Sequence, residues 1–440
     1  MTKTLPEKIL AVKERLKKEF LHDERPWVVT FSGGKDSTTV LHLVVDILRE
    51  LHVEHSNLKK VYVVSSDTGV EMPLIEDYTG NKLGQIRQFV KKEELNIDIE
   101  VLKPKVTESF WTLLLGKGYP SPNQNFRWCT DRMKIKPATH FLKNLADKSQ
   151  IVMLLGVRSD ESQTRAQSID NRDENYRGFS KHPDIPNAFV FSPIKDWTNA
   201  EVWTFLSKYP APWGKHNDMM VLYDKGSGEG DCNIALNPEA PSCGKTRFGC
   251  WVCTVVSKDK SMANMLKNPE DQWMEPLHAF RNDLEEYRYD HSKRQPRRRN
   301  GQKSVGPFLL SVRQELFEKL LKVEQSLQNP EQLNGKKLIS DEEIVQIQEE
   351  WLHDGDFFET AITIASKYGR DVAFESVKAF NGEERNYIQS VCEAHDIDVE
   401  LIEHIMQKEH AYRHQLKRTK LFTEMDALVE HYATGKVNAV

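Results

Sequence analysis

The stretch Phe31-Ser32-Gly33-Gly34-Lys35-Asp36-Ser37-Thr38 follows directly on the apolar run Trp27-Val28-Val29-Thr30. Gly33 and Gly34 let a backbone approach an anion closely, and a helix beginning near Ser37 would aim unpaired N–H groups at it. Ser32, Ser37 and Thr38 add hydroxyl donors, and Lys35 adds positive charge. Asp36 is the discordant member, because a carboxylate beside phosphates is useful chiefly where it meets Mg²⁺. The spacing is not the Walker pattern GxxxxGK[ST]. On residue types alone, an ordinary helix start capped by Ser and Asp remains open beside the anion site.

Four of the six cysteines, Cys232, Cys243, Cys250 and Cys253, fall in one stretch with the spacing C-x10-C-x6-C-x2-C. Cys250 and Cys253 can approach one metal from a single turn, with Gly249 easing the bend, while Cys232 and Cys243 would close the shell from a longer loop. Four thiolates suit zinc or an iron–sulfur cluster equally by count. Cys129 and Cys392 stand alone. Cys392, in a helical stretch, reads as core, and His216 reads as a hydrogen-bonded loop histidine.

The elements that must position these groups alternate in the first half. β-rich runs at 27–31, 61–67, 97–104, 151–158 and 189–194 are separated or followed by helical stretches, which predicts an α/β fold with a five-stranded parallel sheet. Ligands of such sheets bind beyond the carboxyl ends of the strands, where Ser32, Asp67 and Arg158 would lie. From about 214 the alternation breaks into an acidic, glycine-rich stretch, the cysteines and a basic run at 292–303. After 311 the chain reads as helices. Expected domains are therefore 1–213, 214–310 and 311–440.

Bulk properties narrow the class. The 440 residues are 39% hydrophobic and 29% charged, with a net charge of -5, so the chain as a whole is not a basic nucleic-acid binder. The basic run Lys293, Arg294, Arg297, Arg298, Arg299 and Lys303 is either a solvated loop or a grip for a phosphate backbone. No apolar run is long enough to span a membrane. Leu5, Ile9, Val12, Leu16 and Phe20 recur at helical spacing, which predicts an amphipathic opening helix and a cytoplasmic protein.

Ser32-Gly33-Gly34-Lys35-Asp36-Ser37 resembles the SGGxDS loop of the ATP pyrophosphatase (PP-loop) superfamily, whose adenine nucleotide alpha hydrolase-like members split ATP into AMP and pyrophosphate. Other segments are similar to its PAPS reductase-like branch: Asp67, Thr68 and Glu71 after the second strand; Arg132, Lys134 and Pro137 in a segment like CCxxRKxxP; and Arg158, Glu161 and Arg165 after the fourth strand. The likeness implies that Ser32, Gly33, Gly34, Lys35, Asp36, Ser37, Asp67, Thr68, Glu71, Arg132, Arg158, Glu161 and Arg165 bind the nucleotide. Two departures weigh against direct sulfate reduction: Cys129 lacks the second cysteine of the cluster-bearing reductases, and the stretch HYATGKVNAV lacks the nucleophilic cysteine of an ECGxH-type tail.

Taken with the cysteine spacing, the chain resembles the DndC family of DNA phosphorothioation sulfurtransferases, with the SspD proteins of single-strand systems as close neighbours. That resemblance implies a [4Fe-4S] cluster on Cys232, Cys243, Cys250 and Cys253, with zinc as the alternative. It also implies ATP and Mg²⁺ as cofactors, DNA as acceptor, a cysteine desulfurase as sulfur donor, and further subunits of a phosphorothioation complex as partners. Lys35, Asp36 and Arg158 would carry catalysis; Cys129, beside Arg127 and Arg132, is either a thiolate carrying persulfide or a buried, inert cysteine. A sulfonucleotide reductase, a tRNA thiolase and a non-catalytic assembly subunit stand as rivals.

Overall fold

A computed structural model describes residues 3–55, 57–161, 177–227, 248–299, 301–327, 333, 335–374, 382–412 and 421–434. They form two compact units: Met1–Pro104 with Asn123–His278, and Lys105–Pro122 with Ala279–Val440. Residues 214–227 and 248–278 fall in the unit that holds the sheet.

The first unit is built on β1 (Trp27–Thr30), β2 (Val61–Ser66), β3 (Ile97–Leu102), β4 (Ile151–Leu154), β5 (Ser180–Lys181) and β6 (Ala188–Phe191), in the order β3-β2-β1-β4-β6-β5. Five strands are parallel, as the alternation predicts; the two-residue β5 adds an antiparallel edge beside β6. Trp27, Val28 and Val29 are all buried, as expected of a central strand covered on both faces. Strand order reverses between β1 and β4, which opens a crevice at their carboxyl ends.

Helix α1 (Leu5–Leu21) is the amphipathic opening helix, with Leu16 and Phe20 buried and Leu5, Ile9 and Val12 packed against the same core. Helix α2 (Lys35–Glu54) buries Val40, Leu41, Leu43, Val44, Val45, Ile47, Leu48 and Leu51. Apolar residues around so much of its circumference make it an interior helix. Helix α3 (Pro73–Lys92) starts at a proline, whose missing N–H costs nothing in a first turn. The helix Asn199–Lys208 is held by a Thr198/Glu201 capping box.

In the second unit, the internal stretch 105–122 packs with helices from the far end of the chain. Trp111 Nε1 donates to Leu338 O and Trp351 Nε1 to Leu115 O, each at 2.7 Å. Arg313, 1% exposed, donates to Gly116 O and pairs with Asp354 at 2.7 Å. Helices follow at Leu310–Ser326, Asp341–His353, Thr360–Lys367, Gly382–Ala394, Val399–Tyr412 and Leu421–Ala433; Cys392 is buried, as expected. Among the described residues, no helix is long and apolar enough to cross a membrane.

Candidate functional site

The loop after β1 enters the sheet's crevice as the residue types require. Gly33 sits at φ +74, and a Cβ there would lie 2.7 Å from Thr79 Oγ1; glycine alone meets both demands without strain. Ser37 Oγ accepts from Ser32 N at 3.2 Å and donates to Gly34 O at 3.0 Å, which fixes the turn from within. Helix α2 begins at Lys35, two residues before the expected start, and Gly34 supplies no side-chain cap. The amides of its first turn therefore have no intrahelical acceptor and form the positive end of a long helix.

Lys35 and Asp36 lie in that first turn. Lys35, 8% exposed, has its Nζ 3.1 Å from Asp36 Oδ2 and 5.7 Å from the centre of the Tyr223 ring. Arg158, delivered by the segment after β4, places Nε 2.5 Å from Asp36 Oδ1. Its other nitrogens reach Asp160 Oδ2 at 3.3 Å, Trp197 O at 3.4 Å and Asn199 Oδ1 at 3.4 Å. Asn199 Nδ2 is buried beside it without a hydrogen-bond partner. A Cβ on Gly156 would come within 2.7 Å of Asp36 C and Ser37 N, so only glycine lets the two segments touch.

The loop after β2 turns differently. Thr68 Oγ1 donates to Glu71 Oε1 at 2.6 Å, Gly69 N donates to Asp67 Oδ1 at 2.9 Å, and Asp67 pairs with Lys103 at 3.0 Å. Burial raises the Glu71 carboxyl above its ordinary range. Onto this loop comes the cysteine turn: Glu71 bridges Cys250, Trp251 N donates to Val70 O at 3.1 Å, and Cys253 N donates to Cys250 O at 3.0 Å. Thr68 Oγ1 lies 3.6 Å from Cys250 Sγ. Phe248 packs on Tyr223 at 5.0 Å between ring centres, and Tyr223 faces Lys35. Tyr223 and Phe248 thus lie between Lys35 and the segment that leads into the cysteine turn.

Burial pushes the Cys250 thiol up to about 12, while the charge of Lys134 acts the other way. Such a thiol stays neutral unless a cation draws it to thiolate. Two cysteines on one tight turn fit two ligand positions of zinc or an iron–sulfur cluster. Among the described residues, no three His, Cys, Asp or Glu side chains form a group that could hold a metal. Cys232, Cys243 and Arg165 lie outside the described residues, and so does the side chain of Glu161.

A sequence profile of the phosphoadenosine phosphosulfate reductase domain matches residues 26–256, more than half the chain. The chain belongs to this family. An uncharacterized protein of Methanocaldococcus jannaschii is 26% identical over 270 residues, covering 61% of this chain and 43% of that protein. Adenosine 5'-phosphosulfate reductase of Salinibacter ruber is 27% identical over 151 residues, covering 34% of this chain and 50% of the reductase. The chain spans about half the length of these curated relatives. A solved structure of the U34-tRNA thiolase NcsA from Methanococcus maripaludis with its [4Fe-4S] cluster aligns with 63% of this chain and 80% of that chain, at 13% identity and a TM-score of 0.28.

Within this PAPS reductase-family domain, Ser32 to Ser37 and Arg158 form one cluster. Thr68, Glu71, Cys250 and Cys253 form another beside it, with Asp67 turned to Lys103. Cys129 and Arg132 lie on a helical run over Trp128–Ala146 that is interrupted by a π-helical turn at Asp131–Ile135. Burial raises the Cys129 thiol, and Cys253 adds to the effect. The direction agrees with the buried alternative for Cys129 and not with the lowering that Arg127 and Arg132 would give. Arg132 Nε instead lies 3.5 Å from Asp131 Oδ2. Sequence reading missed Gly156, Asn199 and Tyr223. Gly156, two residues before Arg158 at a strand end, had a signal in its type and place; Tyr223 had none.

Proposed function

We propose that this protein is a cytoplasmic, ATP-dependent sulfurtransferase that replaces a nonbridging oxygen of the DNA backbone with sulfur. The observation that carries the reading is the glycine turn leading into an uncapped, lysine-bearing helix start, pinned by Arg158 at the switch point of the sheet. The β- and γ-phosphates of ATP would lie on the amides of residues 33–37, with Ser32 and Thr38 as hydroxyl donors and Ser37 holding the turn. Lys35 and Arg158 would neutralise the charge that builds up as two phosphates approach each other. Asp36, oriented by its two cationic neighbours, would be the protein ligand of the Mg²⁺ that arrives with the nucleotide.

A phosphodiester oxygen would attack the α-phosphorus, forming an O–P bond as the α–β bridge breaks and pyrophosphate leaves. A sulfur nucleophile at the sulfide oxidation level would then form the P–S bond as AMP departs. Sulfur delivered as persulfide by a cysteine desulfurase needs two further electrons from a thiol to free it. A cluster held by Cys250 and Cys253, with Cys232 and Cys243, would supply a sulfur-handling or structural centre. The buried Cys129 would serve as an acceptor only when a base removes its proton.

Support comes from membership of the family, from the anion-binding geometry, and from the departures that weigh against sulfate reduction. The test is a reaction with duplex DNA, Mg-ATP, cysteine and a desulfurase, followed by pyrophosphate assay and mass analysis of the digested DNA. Pyrophosphate and phosphorothioate dinucleotides are expected together. Thioredoxin-dependent sulfite release from PAPS, or pyrophosphate release that requires tRNA, would replace this reading with one of its rivals.

A further inference from the structure

Residues His291 to Gln314 hold seven lysines and arginines and no Asp or Glu, in a chain whose net charge is -5. The segment is folded. Gln295 N donates to Pro307 O at 2.8 Å and Gly306 N to Gln295 O at 2.7 Å; further out, Arg298 N donates to Gln302 O at 3.0 Å. Bridges pair Arg294 with Phe308 and Arg297 with Lys303. The result is a short hairpin whose turn passes through Gly301 at φ +82.

Two residues hold its base. Arg294 Nε donates to Gly306 O at 2.7 Å and Nη1 to Arg288 O at 3.1 Å, with the guanidinium 5.2 Å from the Phe308 ring centre. A Cβ on Gly306 would fall 1.9 Å from Arg297 O, a backbone atom that no rotamer change can move. Arg294 is therefore structural, and what the hairpin presents outward is Arg297, Arg298, Arg299 and Lys303, all exposed. Arg297 touches Gly301 O and Arg299 touches Lys117 O. Among the described residues, the carboxylate within ion-pair reach of this group is Asp354, 3.8 Å from Arg299 and already bound to Arg313.

We infer that this hairpin grips the phosphodiester backbone of duplex DNA. Folding a run of like charges into a rigid turn costs repulsion, which a polyanion removes. Arginine forks match phosphate oxygens in pairs, and contacts of this kind position a protein on DNA without reading its sequence. The choice of DNA rests on the proposed function.

The test is fluorescence anisotropy of the full chain with a labelled duplex, without ATP, across a salt series. Substituting Arg297→Gln, Arg298→Gln and Lys303→Gln together should weaken binding at least tenfold and flatten the log–log salt slope by about 2–3 units, with an unchanged melting temperature. Gly306→Ala, which keeps every charge, should also weaken binding. Unchanged affinity and slope in the triple variant would overturn the inference, as would tighter binding of structured RNA through the same residues. Hairpin-dependent DNA binding without pyrophosphate release would sink the proposed activity and leave this surface standing; active turnover with hairpin-independent binding would do the reverse.

Discussion

Asp36 carries two interactions at once: Arg158 holds one carboxylate oxygen at 2.5 Å and Lys35 the other at 3.1 Å. Arg158 is 2% exposed, and removing the partner of a buried charge costs about 3–5 kcal/mol, with Asp160 and Asn199 offsetting part of that here. Asp36→Ala should therefore abolish pyrophosphate release and also lower the melting temperature by about 5 °C or more. Asp36→Asn keeps an acceptor for Arg158, so it should lose activity with a smaller thermal shift. Full turnover in the asparagine variant would remove the carboxylate from catalysis. The stability cost could not be read from the sequence, because Asp36 and Arg158 lie 122 residues apart. The loop itself was legible because the groups that bind an anion are neighbours in the chain. Cys129 stayed open for the opposite reason: adjacent arginines point to a thiolate, whereas burial, set by tertiary packing, raises its thiol.

Helix α2 serves both the site and the core. Two turns below Lys35, the His42 ring meets that of His216 at a 45° tilt with ring centres 5.5 Å apart, just before the helix Asn217–Ser227 that carries Tyr223. His216 was expected to be a hydrogen-bonded loop residue; it is 2% exposed, and its Nε2 has no partner. Burial holds His42 down to about 3, with His216 and Lys13 contributing, and burial together with Lys82 holds His216 down to about 4. Both rings are thus neutral when folded but protonate near 6.5 when unfolded. Their contribution is complete above that value and is lost as pH falls towards 3–4. Urea midpoints should drop between pH 7.5 and pH 5 by an amount equal to about 2 kcal/mol per imidazole, and His42→Gln should flatten the curve; identical pH profiles would refute the linkage. At this scale the five parallel strands and α1 were legible because periodicity and burial agree along their whole length. Strand β5 was not, since two residues carry no period. The helices Asn217–Ser227 and Glu275–Tyr289 were hidden in the region where the strand–helix alternation fails.

At the scale of the molecule, the chain visits its second unit twice. Residues 105–122 leave the sheet-bearing unit after β3 and bury Phe110, Trp111, Leu113, Leu114 and Leu115. Trp111 Nε1 is satisfied by Leu338 O, and Leu115 O by Trp351 Nε1. No local pattern reveals such an excursion, because its apolar residues read equally well as part of the first core. Cutting the chain after His278 would therefore strip these residues of their partners. At about 25 cal/mol for each Å² of apolar surface, the exposed side chains would favour aggregation by several kcal/mol. The truncated chain should be insoluble or elute as large aggregates. A second version, with 105–122 also replaced by a glycine–serine linker of equal length, should be monomeric and, on the proposed function, bind ATP as the full chain does, because every residue of the phosphate-type loop, Arg158, Gly156 and Tyr223 belongs to the first unit. Size-exclusion chromatography of the two versions, with an ATP-binding assay on the second, decides the matter: equal solubility of both would mean that the excursion does not belong to the second core.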